Sequence, residues 1–361
     1  MITARIRKQY PAGPDAAGFT LDVDFCAEGG ITVLFGASGA GKTMTLDAIA
    51  GFMKPDEGRI LLDDAILFDG AAGVCLPPQA RRCGYVVQNY ALFPHMTLRK
   101  NLEFAALCAG RQRPPRLERH RKVNEMLDRF HLSDVPGRRP HEVSSGEKQR
   151  CSIARALMGS PKALLLDEPA RGLDANLKAE LHDVLREVRS SFQSPILLVT
   201  HDVDECFALG DEMLVLHEGR LLQRGTPRAV FDKPASADVA RLLGTFNLLP
   251  VEVIALDPAR KTSRLRYGDW ELDGPYFPGR LRGDSGVLCV RPEELTAVPW
   301  DGKPGQNQIP AQLVRSIERP HKMRLEFAGG IFAEVPRGDF ERYKQSKEWV
   351  IEFPSQDLRL L

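Results

Sequence analysis

Apolar residues along this chain follow two regimes. Up to about residue 240 many come as short unbroken runs: Ile31-Thr32-Val33-Leu34-Phe35, Ala163-Leu164-Leu165-Leu166 and Pro195-Ile196-Leu197-Leu198-Val199. Runs of that length without alternation predict buried strands. Tyr85-Val86-Val87 reads as another strand, and Phe19-Thr20-Leu21-Asp22-Val23-Asp24-Phe25 alternates as a half-buried strand does. Helical patterns lie between them. One covers Met44 to Ala50 and ends at Gly51, and residues 97 to 158 read as helical. Another starts at Asp174-Ala175-Asn176 and carries a core stripe at Leu177, Leu181, Leu185 and Val188. Hairpins are expected around Asp63-Asp64 and at Glu218-Gly219. Around Lys233-Pro234-Ala235-Ser236 the character changes. Beyond Gly244 come short alternating runs: Leu249 to Ile254, Gly286 to Val290, Ala311 to Ile317, Met323 to Phe327, Ile331 to Val335 and Trp349 to Phe353. Their spacing predicts a small all-β barrel, which the loop Pro299 to Gln308 divides into two lobes.

Composition narrows the picture. A chain of 361 residues is long for one domain, and 43% hydrophobic residues suffice for ordinary cores. Lys+Arg total 49 against Asp+Glu 48, so the overall charge suggests neither a nucleic-acid coat nor an acidic partner. No apolar run approaches the ~20 residues that span a bilayer. The start, Met1-Ile2-Thr3-Ala4-Arg5-Ile6-Arg7-Lys8, lacks a signal-like apolar core. The expectation is a cytosolic protein whose membrane role comes through a partner. Seven cysteines are scattered and never form a C-x-x-C pair, so they read as reduced packing thiols. The basic run Arg111-Gln112-Arg113-Pro114-Pro115-Arg116 has no interleaved aromatics and is balanced by Glu118, Glu125 and Asp128, as on a solvated face.

Candidate chemistry begins at Gly36-Ala37-Ser38-Gly39-Ala40-Gly41-Lys42-Thr43, a glycine, four residues, then Gly-Lys-Thr, set between a strand and a helix. Such a loop turns backbone N–H groups toward a polyphosphate, and the helix N-terminus adds partial positive charge. Lys42 is placed for the β- and γ-phosphates and the Thr43 hydroxyl for Mg²⁺. Gln88 follows a strand tip, as either a solvated terminus or a ligand to metal or water. Ser144 and Glu147 form a capping box, which serves a plain helix or leaves a helix N-terminus free for a phosphate. Asp167 and Glu168 end a buried strand, where an open α/β sheet has its ligand crevice. His201 ends another. Tyr10 and Phe19 are aromatics that could stack on adenine, and a packing role fits each as well.

Taken in order, Gly36–Thr43, Gln88, Ser144-Ser145-Gly146-Glu147, Leu164–Glu168 and His201 resemble the nucleotide-binding subunit of an ABC transporter. The resemblance implies an α/β P-loop NTPase domain of the ABC ATPase kind at 1–240, with an inserted helical subdomain at about 89–158. It implies a C-terminal oligonucleotide-binding-like domain of the TOBE type at 245–361. ATP and Mg²⁺ are the implied ligands. Gly36 through Thr43 hold the phosphates, and Thr43, Gln88 and Asp167 serve the metal. By the same resemblance Glu168 is the expected general base or water-positioner, and His201 the expected γ-phosphate contact. It also implies that Ser144 and Gly146 would hold the γ-phosphate of an opposite copy, and that Asp174 would link the two sites. The resemblance further implies two copies stacked head to tail around two ATP. The implied partners are transmembrane permease subunits, touched by the Gln88 loop, and indirectly an extracytoplasmic substrate-binding protein. The implied location is the cytoplasmic membrane face.

Three positions depart from the family pattern. Ser145 replaces the first glycine of Leu-Ser-Gly-Gly-Gln, Arg171 stands where a small polar residue is usual, and Met44 replaces a common Ser or Thr. Phe35–Thr43 and Leu76-Pro77-Pro78-Gln79-Ala80-Arg81-Arg82 look like molybdate-type importers. Arg291-Pro292-Glu293-Glu294 is more like the sulfate, iron, polyamine and sugar branches. An oxyanion, molybdate first, is the expectation. The alternative of another class is a soluble ABC-type ATPase acting on nucleic acid or ribosomes. The single cassette, the neutral charge and the lack of a basic, aromatic-rich stripe oppose it. A regulatory role for the C-terminal part is compatible with the transporter reading.

Overall fold

The structure, a computed structural model, describes residues 1–13, 18–108, 115–300, 302, 305–346, 348–356 and 358–361. Arg111 to Pro114 of the basic run lie outside them. Contacts divide the chain into Met1–Lys233 and Pro234–Leu361.

The first unit opens with β1 (Ile2–Tyr10) and β2 (Phe19–Ala27), paired antiparallel with Tyr10 opposite Phe19. β3 (Gly30–Phe35) runs into the glycine loop and α1 (Lys42–Ala50). The hairpin β4 (Glu57–Leu62) and β5 (Ala65–Asp69) turns at Asp63-Asp64, with β6 (Val74–Cys75) at its edge. After β7 (Cys83–Val86) come α2 (Leu98–Cys108), α3 (Arg116–Arg129) and α4 (Ser145–Met158). β8 (Ala163–Asp167), α5 (Ala175–Ser191), β9 (Pro195–Thr200) and α6 (Val203–Leu209) follow. The unit ends with β10 (Glu212–His217), β11 (Arg220–Gly225) and α7 (Pro227–Asp232).

All these strands form one sheet in the order β6-β5-β4-β1-β2-β11-β10-β3-β9-β8-β7. The run β10-β3-β9-β8-β7 is parallel. β8 and β9 are buried at every position, which explains their unbroken apolar sequence: a parallel strand covered on both faces has no solvent side to make polar. The core gathers Leu34, Leu46, Ile49, Leu165, Leu197 and Val199, so the sheet and α1 share it.

The C-terminal end of α1 needs outside help. Gly51, in the left-handed region at φ 92°, caps the helix, and the N–H groups of Gly51, Phe52 and Met53 all bond the Asp47 carbonyl. The Ala48 and Ile49 carbonyls receive their protons from Arg81, whose Nη1 lies 2.6 and 3.1 Å away. Its Nε donates to the Leu76 carbonyl at 2.8 Å. Only 1% of Arg81 is exposed, and burial pulls its pKa below the ordinary guanidinium value.

The second unit begins with α8 (Ala237–Leu243) and is otherwise almost all β. One antiparallel sheet has the order β14-β13-β12-β15-β21, built from β12 (Asn247–Asp257), β13 (Thr262–Tyr267), β14 (Trp270–Pro275), β15 (Ser285–Val290) and β21 (Arg359–Leu360). The other has the order β16-β20-β17-β18-β19, from β16 (Thr296–Pro299), β17 (Gln308–Glu318), β18 (Lys322–Phe327), β19 (Ile331–Pro336) and β20 (Glu348–Glu352). A short helix, α9 (Arg337–Tyr343), precedes β20. Leu249, Leu288, Leu325, Trp349 and Ile351 join the two sheets in one core.

Two expectations change here. β13 and β14 are strands that the sequence reading passes over, because Leu265 and Leu272 are the only hydrophobics they bury. The passage between the sheets also falls earlier than Pro299 to Gln308. It lies at the 3-10 turn Pro292–Glu294, where the Glu294 carboxylate accepts from the Arg291 N–H at 3.0 Å. The Arg-Pro-Glu-Glu run is therefore the corner itself, since its proline ends β15 and its glutamate caps the turn.

Candidate active site

Four adjacent parallel strands, β3-β9-β8-β7, deliver the candidate residues to one end of the sheet. The glycine loop leaves β3, His201 leaves β9, Asp167 and Glu168 leave β8, and Gln88 follows β7. This is the carboxyl-end crevice of an open α/β sheet.

At the loop, Gly41 sits at φ 99°, a conformation that costs a side-chain-bearing residue and lets the loop turn into α1. Lys42 is 5% exposed. Its Nζ donates to the Gly36 and Ala37 carbonyls at 2.8 and 2.9 Å, so the ammonium closes its own loop. Burial lowers the Lys42 pKa, and the charges of Glu168 and Asp167 work against that shift. The Thr43 hydroxyl donates to Asp167 Oδ1 at 3.2 Å. Burial raises the Asp167 pKa, a shift that the Thr43 bond opposes and the neighbouring Glu168 charge reinforces. Phe19 abuts Gly41, with its Cζ 3.3 Å from where a Cβ there would stand, whereas Tyr10 is exposed.

A second cluster surrounds Glu168, itself in the left-handed region at φ 46°. Its N–H bonds the Val199 carbonyl at 3.0 Å, tying β8 to β9. One carboxylate oxygen lies 3.5 Å from His201 Nδ1, and the other accepts from Arg171 Nη1 at 3.2 Å. The same guanidinium donates to the Gln88 side-chain oxygen, from Nη1 and from Nε at 3.1 Å, with the amide oriented by these contacts. Gln88, Glu168 and Arg171 thus form one network.

The remaining candidates lie apart from both clusters. Ser144 caps α4: its Oγ accepts from the Glu147 N–H at 3.2 Å, and the Glu147 carboxylate accepts from the Ser144 N–H at 2.7 Å. Gly146 presses on Leu177, where an added Cβ would come within 2.9 Å of Cδ2. Asp174 caps α5, accepting from the Asn176 and Leu177 N–H groups at 3.0 and 2.9 Å. No hydrogen bond among the described residues links Ser144 or Asp174 to the glycine loop or to Glu168.

Two residues that the sequence reading does not single out hold the loop after Gln88. Ser152 Oγ donates to the Tyr90 carbonyl at 2.7 Å, and Arg155 Nη1 to the Ala91 carbonyl at 2.6 Å. Tyr90 and Ala91 both have positive φ, 59° and 49°. These α4 side chains hold a backbone conformation that non-glycine residues adopt at a cost.

A family model described as "ABC transporter" matches residues 21–171. The chain is 37% identical over 306 residues to the molybdenum import ATP-binding protein ModC of Rhodospirillum rubrum, covering 85% of this chain and 76% of that one. It is 38% identical over 262 residues to the spermidine/putrescine import ATP-binding protein PotA of Nitrosospira multiformis, covering 73% and 69%. A solved dimeric ATP-binding cassette in a post-hydrolysis state, bound to ADP and phosphate, superposes with a TM-score of 0.55 at 26% identity, over 63% of this chain and 99% of that one. The chain belongs to the family of ABC transporter ATP-binding proteins. It is an ATPase of that class, with a P-loop α/β domain followed by a mostly β region. No helix among the described residues is long and apolar enough to cross a membrane.

Proposed function

We propose that this protein is the ATP-hydrolysing subunit of a binding-protein-dependent importer of an oxyanion, molybdate first. Two copies close head to tail around two ATP on the cytoplasmic face of a membrane. Residues 1–240 form the nucleotide-binding part and 245–361 an appended domain. Transmembrane permease subunits are direct partners, an external binding protein is an indirect one, and nucleic acid is not a partner. The observation that carries this reading is the convergence of Lys42, Thr43, Asp167, Glu168, His201 and Gln88 at the ends of four neighbouring strands. The names of relatives support molybdate, with polyamine as the second reading, because ModC and PotA are nearly equal in identity.

In this reading the Lys42 ammonium exchanges the Gly36 and Ala37 carbonyls for β- and γ-phosphate oxygens. Thr43 and Asp167, two hard oxygen donors already 3.2 Å apart, suit Mg²⁺, which takes few protein ligands and keeps its waters. When bound there, Mg²⁺ offsets charge on the phosphate oxygens. Glu168 orients the attacking water and accepts its proton while the bond from the γ-phosphorus to the bridging oxygen breaks, leaving ADP and phosphate. His201 donates to the γ-phosphate. Ser144 and Gly146 of the second copy supply N–H groups and a hydroxyl from a helix N-terminus.

Glu168→Gln should bind ATP, accumulate as a dimer and lose turnover by about two orders of magnitude or more. Near-normal turnover in single-turnover assays refutes the base assignment. For the substrate, ATPase stimulation of the reconstituted complex should appear with molybdate and its binding protein. Stimulation by spermidine instead would move the assignment to polyamines.

A further inference from the structure

Arg171 stands where a single guanidinium reaches two groups that hydrolysis needs. It donates to Glu168 Oε2 at 3.2 Å and, with the Gln88 amide turned so that its oxygen rather than its NH2 faces the guanidinium, to that side-chain oxygen. His201 Nδ1 faces the other Glu168 oxygen at 3.5 Å. A carboxylate that takes a proton from water must aim one of its oxygens at that water. A Gln88 oxygen that serves a metal or a water needs the same. Here both acceptors face one cation.

We propose that Arg171 is a positioning residue that latches the resting site. It fixes the orientation of one Glu168 oxygen and of the Gln88 amide on its own guanidinium, and hydrolysis requires that guanidinium to swing out. This rests on the reading of Glu168 as base and Gln88 as water or metal contact. The geometry suits a reversible latch. The Arg171 side chain is 60% exposed, so water can receive the released guanidinium, while the Glu168 side chain is only 13% exposed and cannot escape. A fork of five donors can bridge an amide oxygen and a carboxylate at once, whereas a lysine ammonium concentrates its donors at one point. Arg171 is also three residues before Asp174, the cap of α5, so the latch and that cap share one short segment.

The test measures basal ATPase of the full-length protein without permease. Arg171→Ala should raise kcat about three- to ten-fold, the range expected of charge-assisted contacts partly screened by solvent, with KM for ATP within about two-fold. Arg171→Lys should fall between wild type and Arg171→Ala. Once assembled with its permease, Arg171→Ala should show a smaller stimulation ratio than wild type. An unchanged or lowered kcat in a variant with wild-type melting temperature overturns the latch. So does a KM change that accounts for the whole effect. Arg171→Ala in the Glu168→Gln background should be as inactive as Glu168→Gln alone. If Glu168→Gln itself turns over normally, the base assignment fails. If Glu168→Gln is inactive and Arg171→Ala matches wild type, only the latch fails.

Discussion

Replacing Arg81 with methionine keeps the buried stem and removes every donor at the end of α1. The Ala48 and Ile49 carbonyls, 2.6 and 3.1 Å from Nη1, and the Leu76 carbonyl, 2.8 Å from Nε, would all lose a cationic partner. A hydrogen bond to a charged group contributes about 1.5–3 kcal/mol, and a buried acceptor left without one costs about 1–3 kcal/mol. Three such losses are not additive, and the variant no longer buries a cation, which offsets part of them. The net expectation is a loss of about 2–4 kcal/mol, from neutral carbonyls left unsatisfied less the relieved cost of burying the cation. Against a typical stability of about 5–15 kcal/mol, the variant folds but becomes marginal. Equilibrium urea unfolding reads this directly. The transition that shifts on adding ATP marks the first unit. ATP at about 100 times its Kd should add about 2.7 kcal/mol to wild type and variant alike, which separates lost stability from lost binding. Arg81→Lys should recover less than half of the loss, because one ammonium cannot serve carbonyls on two sides. A loss below about 1 kcal/mol for Arg81→Met would refute the capping argument.

Lys42→Ala should abolish ATP binding by calorimetry, because Nζ is the cation in the loop, and unchanged affinity would overturn the loop assignment. Asp167→Asn should stabilise the nucleotide-free protein at neutral pH while removing Mg²⁺-dependent turnover. Burial raises the Asp167 pKa, so its ionised form is a folding cost, fully present above the folded pKa and gone below the ordinary aspartate value. The gain in melting temperature should therefore shrink as pH falls toward about 4. A gain constant with pH would point to packing instead.

The strand-end residues were legible because each motif sits on its own short apolar run, and parallel strands put their carboxyl ends on one side. The helix starts were legible from local chemistry: Ser144 with Glu147, and Asp174 ahead of its stripe. The contacts that hold these pieces in place were not. Arg81 reaches carbonyls 33 and 32 residues away, and Ser152 reaches one 62 residues away. A long side chain meeting a distant backbone carbonyl leaves no periodicity to read. Arg171 stood out only as a departure from pattern, with nothing local to show that its guanidinium faces both Gln88 and Glu168. In the second unit, β13 and β14 were hidden because charged residues such as Arg264 and Arg266 flank their single inward leucine.

The bonds from Ser152 and Arg155 to the Tyr90 and Ala91 carbonyls bear on how this protein could be re-engineered. The loop after Gln88 borrows its backbone conformation from α4, whose first turn carries Ser144 and Gly146. The two stretches behave as a single cassette although some fifty residues separate them in sequence. A chimaera built to accept a foreign permease should therefore exchange residues from Gln88 through Met158 as one block. A junction between the loop and α4 would leave left-handed residues without their donors, and the graft would fail at Tyr90 even though every motif was present.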